Sequence, residues 1–165
     1  MKFSVRQKLF AGIRKFFFLS INRNLKIGKN VYIGRNCSIS AVYNLKIGNN
    51  IYIGKNVTIE VEGSIGDGTV IANSVGIIGR YDHQVKDTKH KAFDAATVRE
   101  NKKLSEPIHI GEGCFIGYGA IILSGVIVGD NSVIAAGSLV TKSIEPYTIV
   151  AGNPAKMIGR RPEWY

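Results

Sequence analysis

Isoleucine or valine recurs every six residues along most of the chain. Eight of these fifteen positions are followed directly by glycine. A period of six fits neither the turn of a helix, about 3.6 residues, nor the simple alternation of a long strand. It predicts a solenoid of short strands, in which each hexad forms one flat face and glycine supplies a corner with an unusual φ. We call these fifteen positions the anchors: Ile27, Ile33, Ile39, Ile47, Ile53, Ile59, Ile65, Ile71, Ile77, Ile110, Ile116, Ile122, Val128, Ile134 and Val140.

Three hexads close one triangular coil, so fifteen hexads predict an all-β parallel β-helix of about five stacked coils. Four places after nearly every anchor stands a small or β-branched residue that points inward beside it. Cys37 and Cys114 occupy this inward position in different coils. We therefore expect buried core thiols, because a reactive thiolate needs exposure and a cationic neighbour.

The six-residue spacing of the anchors is interrupted twice, and each interruption follows the last hexad of a coil. The first break adds two residues between Ile39 and Ile47, and the second adds twenty-seven between Ile77 and Ile110. A solenoid tolerates insertions at its corners, so both insertions are predicted to leave the same corner. The longer one, residues 79–107, has a length that is usually functional in a compact domain.

The segment before the first anchor predicts a short amphipathic helix over residues 3–19. Two interpretations stay open: the helix packs over the open end of the β-helix, or it lies in an anionic membrane interface. It is too short to span a bilayer, and no small-residue cleavage site follows it, so a secretory signal is not expected. Its apolar residues at helical spacing are Leu9, Phe10, Ile13, Phe16 and Phe17.

The length of 165 residues predicts one domain: a helical cap (1–24), the β-helix (25–144, with the loop 79–107 inserted) and a tail (145–165). The net charge of +10 is divided unevenly, because residues 1–59 contain eleven Lys or Arg and no Asp or Glu. This division indicates either an anionic partner at one end, such as a membrane surface or a phosphorylated acceptor, or only solubility and shielding of the first coil. Nucleic-acid binding is not expected, because the basic third lacks interleaved aromatic residues of a recognition module.

The hexad pattern over about residues 25–161 resembles the left-handed parallel β-helix of the hexapeptide-repeat acyltransferases, and residues 108–161 closely resemble that family's terminal coils and tail. The resemblance implies acetyl-CoA as the acyl donor, no metal, and a homotrimer with its sites between subunits. Nucleotidyltransferases with such a β-helix also carry a Rossmann-like domain before it. That class is not expected, since about 24 residues precede the first anchor.

Imidazole is largely neutral at pH 7, so a histidine can accept a proton as a hydroxyl attacks a thioester. The segment GRYDHQVKD, residues 79–87, resembles the loop that carries the general base in the family's O-acetyltransferases, which implies this role for His83. His90 and His109 are predicted to be ordinary surface residues. Candidates to orient the imidazole or to hold the acceptor are Asp82, Asp87, Glu60 and Glu62.

The donor-contacting positions come from the resemblance alone, residue by residue. The segment FIGYGA, residues 115–120, implies backbone contacts with the thioester end of acetyl-CoA. Its tyrosine is a departure, because small residues are common at that position in the family's sugar acetyltransferases. Cations of the tail are expected at the nucleotide phosphates as charge-assisted partners. The implied donor residues are Gly117, Tyr118, Ala136, Thr141, Lys142, Lys156 and Arg160, with Arg161 as the alternative to Arg160.

These patterns predict an acetyl-CoA-dependent O-acetyltransferase that modifies a sugar hydroxyl of a surface polysaccharide or of its lipid-linked precursor. We expect it in the cytoplasm, with peripheral contact at the inner membrane face through the basic N-terminus left open. The alternative acceptors are an antibiotic hydroxyl and the amino group of a nucleotide-linked sugar, and the non-enzymatic alternative is a scaffold. A zinc carbonic anhydrase is not expected, because the chain's three histidines lack the required pairing.

Overall fold

The computed structural model describes residues 5–162 apart from 82, 85, 87 and 105. Asp82 and Asp87 of the sequence prediction therefore lie outside the described residues. Over the described residues one helix is followed by seventeen short strands, and the long insertion contains two 3₁₀ turns, Ala92–Asp94 and Lys102–Leu104. The elements are α1 (Val5–Ile21), β1 (Leu25–Ile27), β2 (Tyr32–Ile33), β3 (Ser38–Ser40), β4 (Leu45–Ile47), β5 (Tyr52–Ile53), β6 (Thr58–Glu60), β7 (Gly63–Ile65), β8 (Val70–Ile71), β9 (Gly76–Ile78), β10 (Ile108–Ile110), β11 (Phe115–Ile116), β12 (Ile121–Leu123), β13 (Ile127–Val128), β14 (Val133–Ile134), β15 (Leu139–Val140), β16 (Thr148–Ala151) and β17 (Lys156–Arg160).

Every third strand joins the same sheet, which gives a β-solenoid with three parallel faces. The first sheet has the order β1-β4-β7-β10-β13, and the third has β3-β6-β9-β12-β15. The second sheet runs β2-β5-β8-β11-β14-β16 and ends in β17, which pairs antiparallel to β16. The predicted β-helix is confirmed, and β16 adds the start of a sixth turn to the five complete coils.

The anchor residues form the interior of the β-solenoid. In the second sheet Ile33, Ile53, Ile71, Ile116 and Ile134 pair in register from coil to coil, and each is 0% exposed. Burying one such side chain contributes about 1.5–3 kcal/mol to folding, so the column is a main source of stability.

The prediction for the cysteines holds fully at one of the two positions. Cys114 is buried, and burial raises the pKa of its thiol to about 11. Cys37 is half-buried, and burial raises the pKa of that thiol as well. Both thiols are free, and both therefore resist ionisation near neutral pH.

The predicted reason for glycine after each anchor is wrong. None of those eight described glycines has a positive φ; positive φ falls two residues later, for example at Asn36 and Gly119. The glycines are required by close approach instead. A Cβ on Gly34 would lie 2.2 Å from the backbone oxygen of Gly54 in the next coil, a distance that no side chain tolerates.

Both insertions leave the corner between the third and first sheets, which we call the 3–1 corner. The short insertion joins β3 to β4, and the long one joins β9 to β10. The two touch, because the Tyr43 hydroxyl donates a hydrogen bond to the Val98 carbonyl oxygen at 3.2 Å and the Lys102 ammonium lies 4.2 Å from the centre of the Tyr43 ring. The predicted common corner is confirmed.

Helix α1 packs on the first coil, as the capping interpretation expects. Arg14 Nε donates to the Ile33 carbonyl oxygen at 2.7 Å, and Lys15 Nζ donates to that of Gly28. Ala11 and Phe18 are the helix residues that become buried. The five apolar residues singled out in the sequence face solvent instead. In the part of the chain that is described, no helix is long and apolar enough to cross a membrane.

Candidate active site

His83 lies on a short antiparallel pairing inside the long insertion. It forms an isolated bridge with Thr97, and the Gln84 backbone N–H donates to the Ala96 carbonyl oxygen at 2.8 Å. The imidazole is half-buried. It lines a hollow of about 270 Å³ together with Tyr81, Gln84, Lys86, Asn101, Lys103 and Leu104.

Arg80 ties this segment to the β-helix three residues before the histidine. Its backbone N–H donates to Ser124 Oγ at 2.8 Å, and its guanidinium donates to the Thr141 carbonyl oxygen at 2.8 Å. Ser124 is buried in the wall. The loop is thus fixed close to His83, as a functional side chain requires if it is to hold its position.

Glu100 is a site residue that the sequence reasoning missed. Its Oε2 accepts hydrogen bonds from the Thr97 backbone N–H at 2.8 Å and from the Thr97 hydroxyl at 3.1 Å. The backbone bond, followed by the hydroxyl bond, lowers the pKa of the Glu100 carboxyl, and His83 acts in the same direction. Glu100 is therefore a carboxylate at neutral pH, and its charge and that of His83 interact. The Thr-x-x-Glu spacing of a capping box was the available signal.

Two carboxylates named from the sequence have other surroundings. Glu62 is buried and accepts backbone N–H bonds from residues 42–44, so it holds the short insertion. Glu60 accepts a hydrogen bond from the Ser38 hydroxyl at 2.6 Å. It lines a second groove, of about 470 Å³, which shares only Tyr81 with the His83 hollow among the described residues.

Three of the residues expected to contact the acyl donor, Gly117, Tyr118 and Ala136, lie on one corner of the β-helix. This corner joins the second and third sheets, and we call it the 2–3 corner. The Gly137 N–H donates to the Tyr118 carbonyl oxygen at 2.8 Å, which joins the two coil corners. A Cβ on Gly117 would lie 2.5 Å from the Ala136 nitrogen. The Tyr118 side chain is 62% exposed and projects from this corner.

The other donor residues lie elsewhere. Thr141 and Lys142 follow β15 on the 3–1 corner, where Thr141 meets Arg80. Lys142 and Arg160 line a hollow of about 260 Å³, and Lys156 is exposed at the start of β17. The Arg161 guanidinium donates to the Gly113 and Asn131 carbonyl oxygens at 3.3 and 3.5 Å, so it fastens the tail to the wall.

Known proteins share this architecture and sequence. A family profile described as the hexapeptide repeat of succinyl-transferase matches residues 107–142. Galactoside O-acetyltransferase of Escherichia coli (strain K12) is 35% identical over 142 residues, which are 86% of this chain and 56% of that protein. A crystal structure of galactoside acetyltransferase in complex with coenzyme A is 30% identical, with a TM-score of 0.51 over 89% of this chain and 69% of that one. The chain belongs to the hexapeptide-repeat acetyltransferase family.

A third relative supports the sugar O-acetyltransferase branch of this acetyltransferase family. The crystal structure of a maltose O-acetyltransferase from Clostridium difficile 630 is 26% identical, with a TM-score of 0.71 over 96% of this chain and 88% of that one. The match to the curated galactoside enzyme spans little more than half of that protein's length. Family and branch are therefore established by sequence and fold together.

Within a single chain, His83 and the residues named for the thioester end lie on two different corners. His83, Thr141 and Lys142 belong to the 3–1 corner, whereas Gly117 and its neighbours belong to the 2–3 corner. These two corners of the β-helix are separated by the full width of the third sheet. One chain alone therefore does not bring the imidazole to the 2–3 corner.

The two remaining histidines of the chain are exposed, as predicted for surface residues. His109 Nδ1 lies 3.1 Å from the Ser64 hydroxyl on the outer side of the first sheet. His90 lies in the long insertion beyond His83. Among the described residues, no group of three or more His, Cys, Asp or Glu side chains could hold a metal ion.

Proposed function

We propose that the protein transfers an acetyl group from acetyl-CoA to a sugar hydroxyl, with His83 as the general base. One observation carries the proposal: a half-buried imidazole and the Glu100 carboxylate belong to one loop that Arg80 fastens to the wall. The names of the galactoside and maltose O-acetyltransferases support a sugar acceptor.

In the proposed reaction the acceptor oxygen forms a bond to the thioester carbonyl carbon while an imidazole nitrogen of His83 takes its proton. The tetrahedral intermediate then collapses, the carbon–sulfur bond breaks, and the coenzyme leaves as a thiol that recovers the proton. The Glu100 carboxylate stabilises the transient imidazolium through its charge. Positioned general base catalysis of this kind contributes about 10²- to 10⁴-fold in rate.

Direct transfer suits the nucleophiles that the chain offers. A covalent acyl-enzyme through cysteine needs an accessible thiolate. Cys114 is buried with a thiol pKa of about 11, and burial raises the pKa of Cys37 too. We therefore assign no acyl-enzyme step.

The donor is proposed to lie along the 2–3 corner. Gly117, Tyr118 and Ala136 would contact its thioester end, and the exposed tail cations Lys156 and Arg160 would meet its phosphates as charge-assisted partners. Thr141 and Lys142, on the 3–1 corner, would reach the donor from a neighbouring subunit. Tyr118 would narrow the acyl pocket, because its exposed side chain projects there.

The separation of the two corners supports a homotrimer with its sites between subunits. The 3–1 corner of one subunit, carrying His83, would face the 2–3 corner of the next, and three such interfaces close a ring. Exposed Phe115, Tyr118 and Ile121 around the 2–3 corner offer apolar surface for this contact.

The acceptor is proposed to be a hydroxyl of a surface polysaccharide or of its lipid-linked precursor. The groove of about 470 Å³ beside Tyr81 has room for sugar rings next to the His83 hollow. Glu60 and Arg99 line that groove and would hydrogen-bond sugar hydroxyls. Asp82 and Asp87, which lie outside the described residues, are further candidates for holding the acceptor.

The test follows thiol release from acetyl-CoA with a panel of galactosides, glucosides, nucleotide sugars, lipid-linked sugars and antibiotics. His83→Ala should lower kcat by about 10²-fold or more with an unchanged unfolding midpoint. His90→Ala, in the same loop, is the matched control and should keep full activity. Undiminished turnover in His83→Ala would exclude the mechanism, and turnover with antibiotics alone would exclude the sugar acceptor.

A further inference from the structure

Helix α1 is oriented opposite to an ordinary surface helix. Such a helix buries its apolar stripe and shows its charged face to water. Here the buried side carries Ala11 and Phe18, flanked by the half-buried Arg14 and Lys15. The outward side is apolar, and its residues are between 45% and 74% exposed: Leu9, Phe10, Ile13, Phe16 and Phe17.

The capping contacts account for this orientation. Strands of the first coil have no preceding coil, so their carbonyl oxygens need other donors. Arg14 and Lys15 supply them, at the Ile33 and Gly28 oxygens. Turning the apolar side inward would remove both cations from these acceptors. The cap thus fixes the apolar face toward the outside.

The part of the chain that carries this apolar face is rich in exposed cations and contains no acidic residue. Residues 1–59 contain no Asp or Glu, and among their cations Arg6, Arg23, Lys26, Lys29 and Arg35 are exposed on α1 and the first coil. A second copy docked through the same face would bring two such basic ends together. Charge complementarity therefore favours an anionic partner over self-association.

We propose that the outer face of α1 inserts into the boundary between headgroups and acyl chains of an anionic lipid bilayer. The aromatic and aliphatic side chains would enter the apolar layer, and the cations of the first coil would meet lipid phosphates. Arg6 suits the edge of this footprint, because its guanidinium lies 5.8 Å from the centre of the Phe10 ring. The membrane contact is a property of the cap and is independent of acetyl transfer.

The test is co-sedimentation of the full chain with vesicles of phosphatidylcholine containing about one third phosphatidylglycerol, compared with phosphatidylcholine alone. The double variant Phe16→Gln, Phe17→Gln removes two outward rings and keeps good helix formers. Phe93→Gln is the matched control, because Phe93 is 94% exposed but belongs to the long insertion. Circular dichroism and the unfolding midpoint establish that both variants keep the fold.

Wild type and Phe93→Gln should bind anionic vesicles, and the double variant should bind at least about tenfold more weakly. Binding should also fall severalfold as salt shortens the Debye length from about 30 Å at roughly 0.01 M to about 3 Å at roughly 1 M. The proposal fails if wild type stays in solution at low salt, if neutral vesicles bind it equally, or if the double variant binds unchanged. It also fails if the double variant lowers the oligomeric mass in sedimentation velocity, because a second copy would then cover this face.

Discussion

The wall of the β-helix and the insertion that carries His83 are held together in different ways. In the wall each coil repeats the backbone hydrogen bonds of the one before, over isoleucines that are almost fully buried. The insertion, residues 79–107, has one isolated bridge and two 3₁₀ turns among its described residues. Its links to the rest of the chain include the bonds of Arg80 and the contacts of Tyr43.

This difference separates stability from chemistry. A change in the wall propagates through neighbouring coils, because each coil contacts only its neighbours and must match them. A change in the insertion alters few contacts beyond the loop itself. We therefore expect wall variants to lose stability, and insertion variants to lose activity while they remain folded.

The largest effect is expected for Gly34→Ala in the wall. The new Cβ would meet the Gly54 oxygen at 2.2 Å, and that oxygen is backbone and cannot rotate away. Overpacking of this kind costs about 3 kcal/mol. Gly12→Ala in α1 is the matched control: apart from the adjacent residues and the backbone of the helix itself, no described atom lies within 4 Å of the new Cβ, and alanine favours a helix by about 1 kcal/mol.

Urea unfolding followed by circular dichroism measures both glycine variants. Gly34→Ala should move the midpoint to lower urea, and Gly12→Ala should move it slightly higher. If the two variants unfold alike, close approach between coils is not the reason for glycine at these positions.

The sequence predicted the wall well because a repeat reports the same physical constraint many times. Fifteen anchors specify the strands, the sheets and the corner from which the insertions leave. The role of glycine was misjudged, because a corner glycine can serve either a positive φ or close approach, and spacing does not separate the two. The positive φ belongs to Asn36 and its equivalents, where asparagine tolerates the left-handed region.

The site was predicted less completely, because its contacts are irregular and occur once. His83 was proposed by resemblance, and Glu100, whose carboxyl pKa it helps to lower, comes from the far side of a chain reversal that no periodicity encodes. Arg80 gave no signal, since its partners Ser124 and Thr141 are 44 and 61 residues away. The orientation of α1 was left open, because the acceptors that determine it belong to the first coil.

A smaller effect is expected for Arg80→Gln in the insertion. The variant keeps the backbone bond to Ser124 but loses the guanidinium bond to the Thr141 oxygen. Arg80 is a positioning residue, so His83 should shift and kcat should fall about tenfold. The KM for acetyl-CoA and the unfolding midpoint should stay close to wild type.

Two further variants define what Arg80 does. Arg80→Lys keeps one charged donor and should recover part of kcat, and Lys91→Gln, on the exposed part of the same loop, should match wild type. A loss of stability equal to the loss of activity in Arg80→Gln would mean that Arg80 supports the wall instead of the histidine.

The smallest effect is expected when the cysteine of the wall, Cys114, is exposed to a thiol reagent. In a Cys37→Ser background Cys114 is the one native thiol, and its pKa of about 11 leaves about one thiolate in a thousand at pH 8. Burial at 1% exposure also excludes the reagent, so native protein should take up almost no iodoacetamide, whereas urea-unfolded protein should react fully. Adding Phe93→Cys places a second thiol on the insertion, where it should be labelled in the native state at the rate of a free cysteine. Rapid native labelling of Cys114, measured by mass spectrometry, would mean that the coils open as readily as the loop and that the two regions do not differ as described.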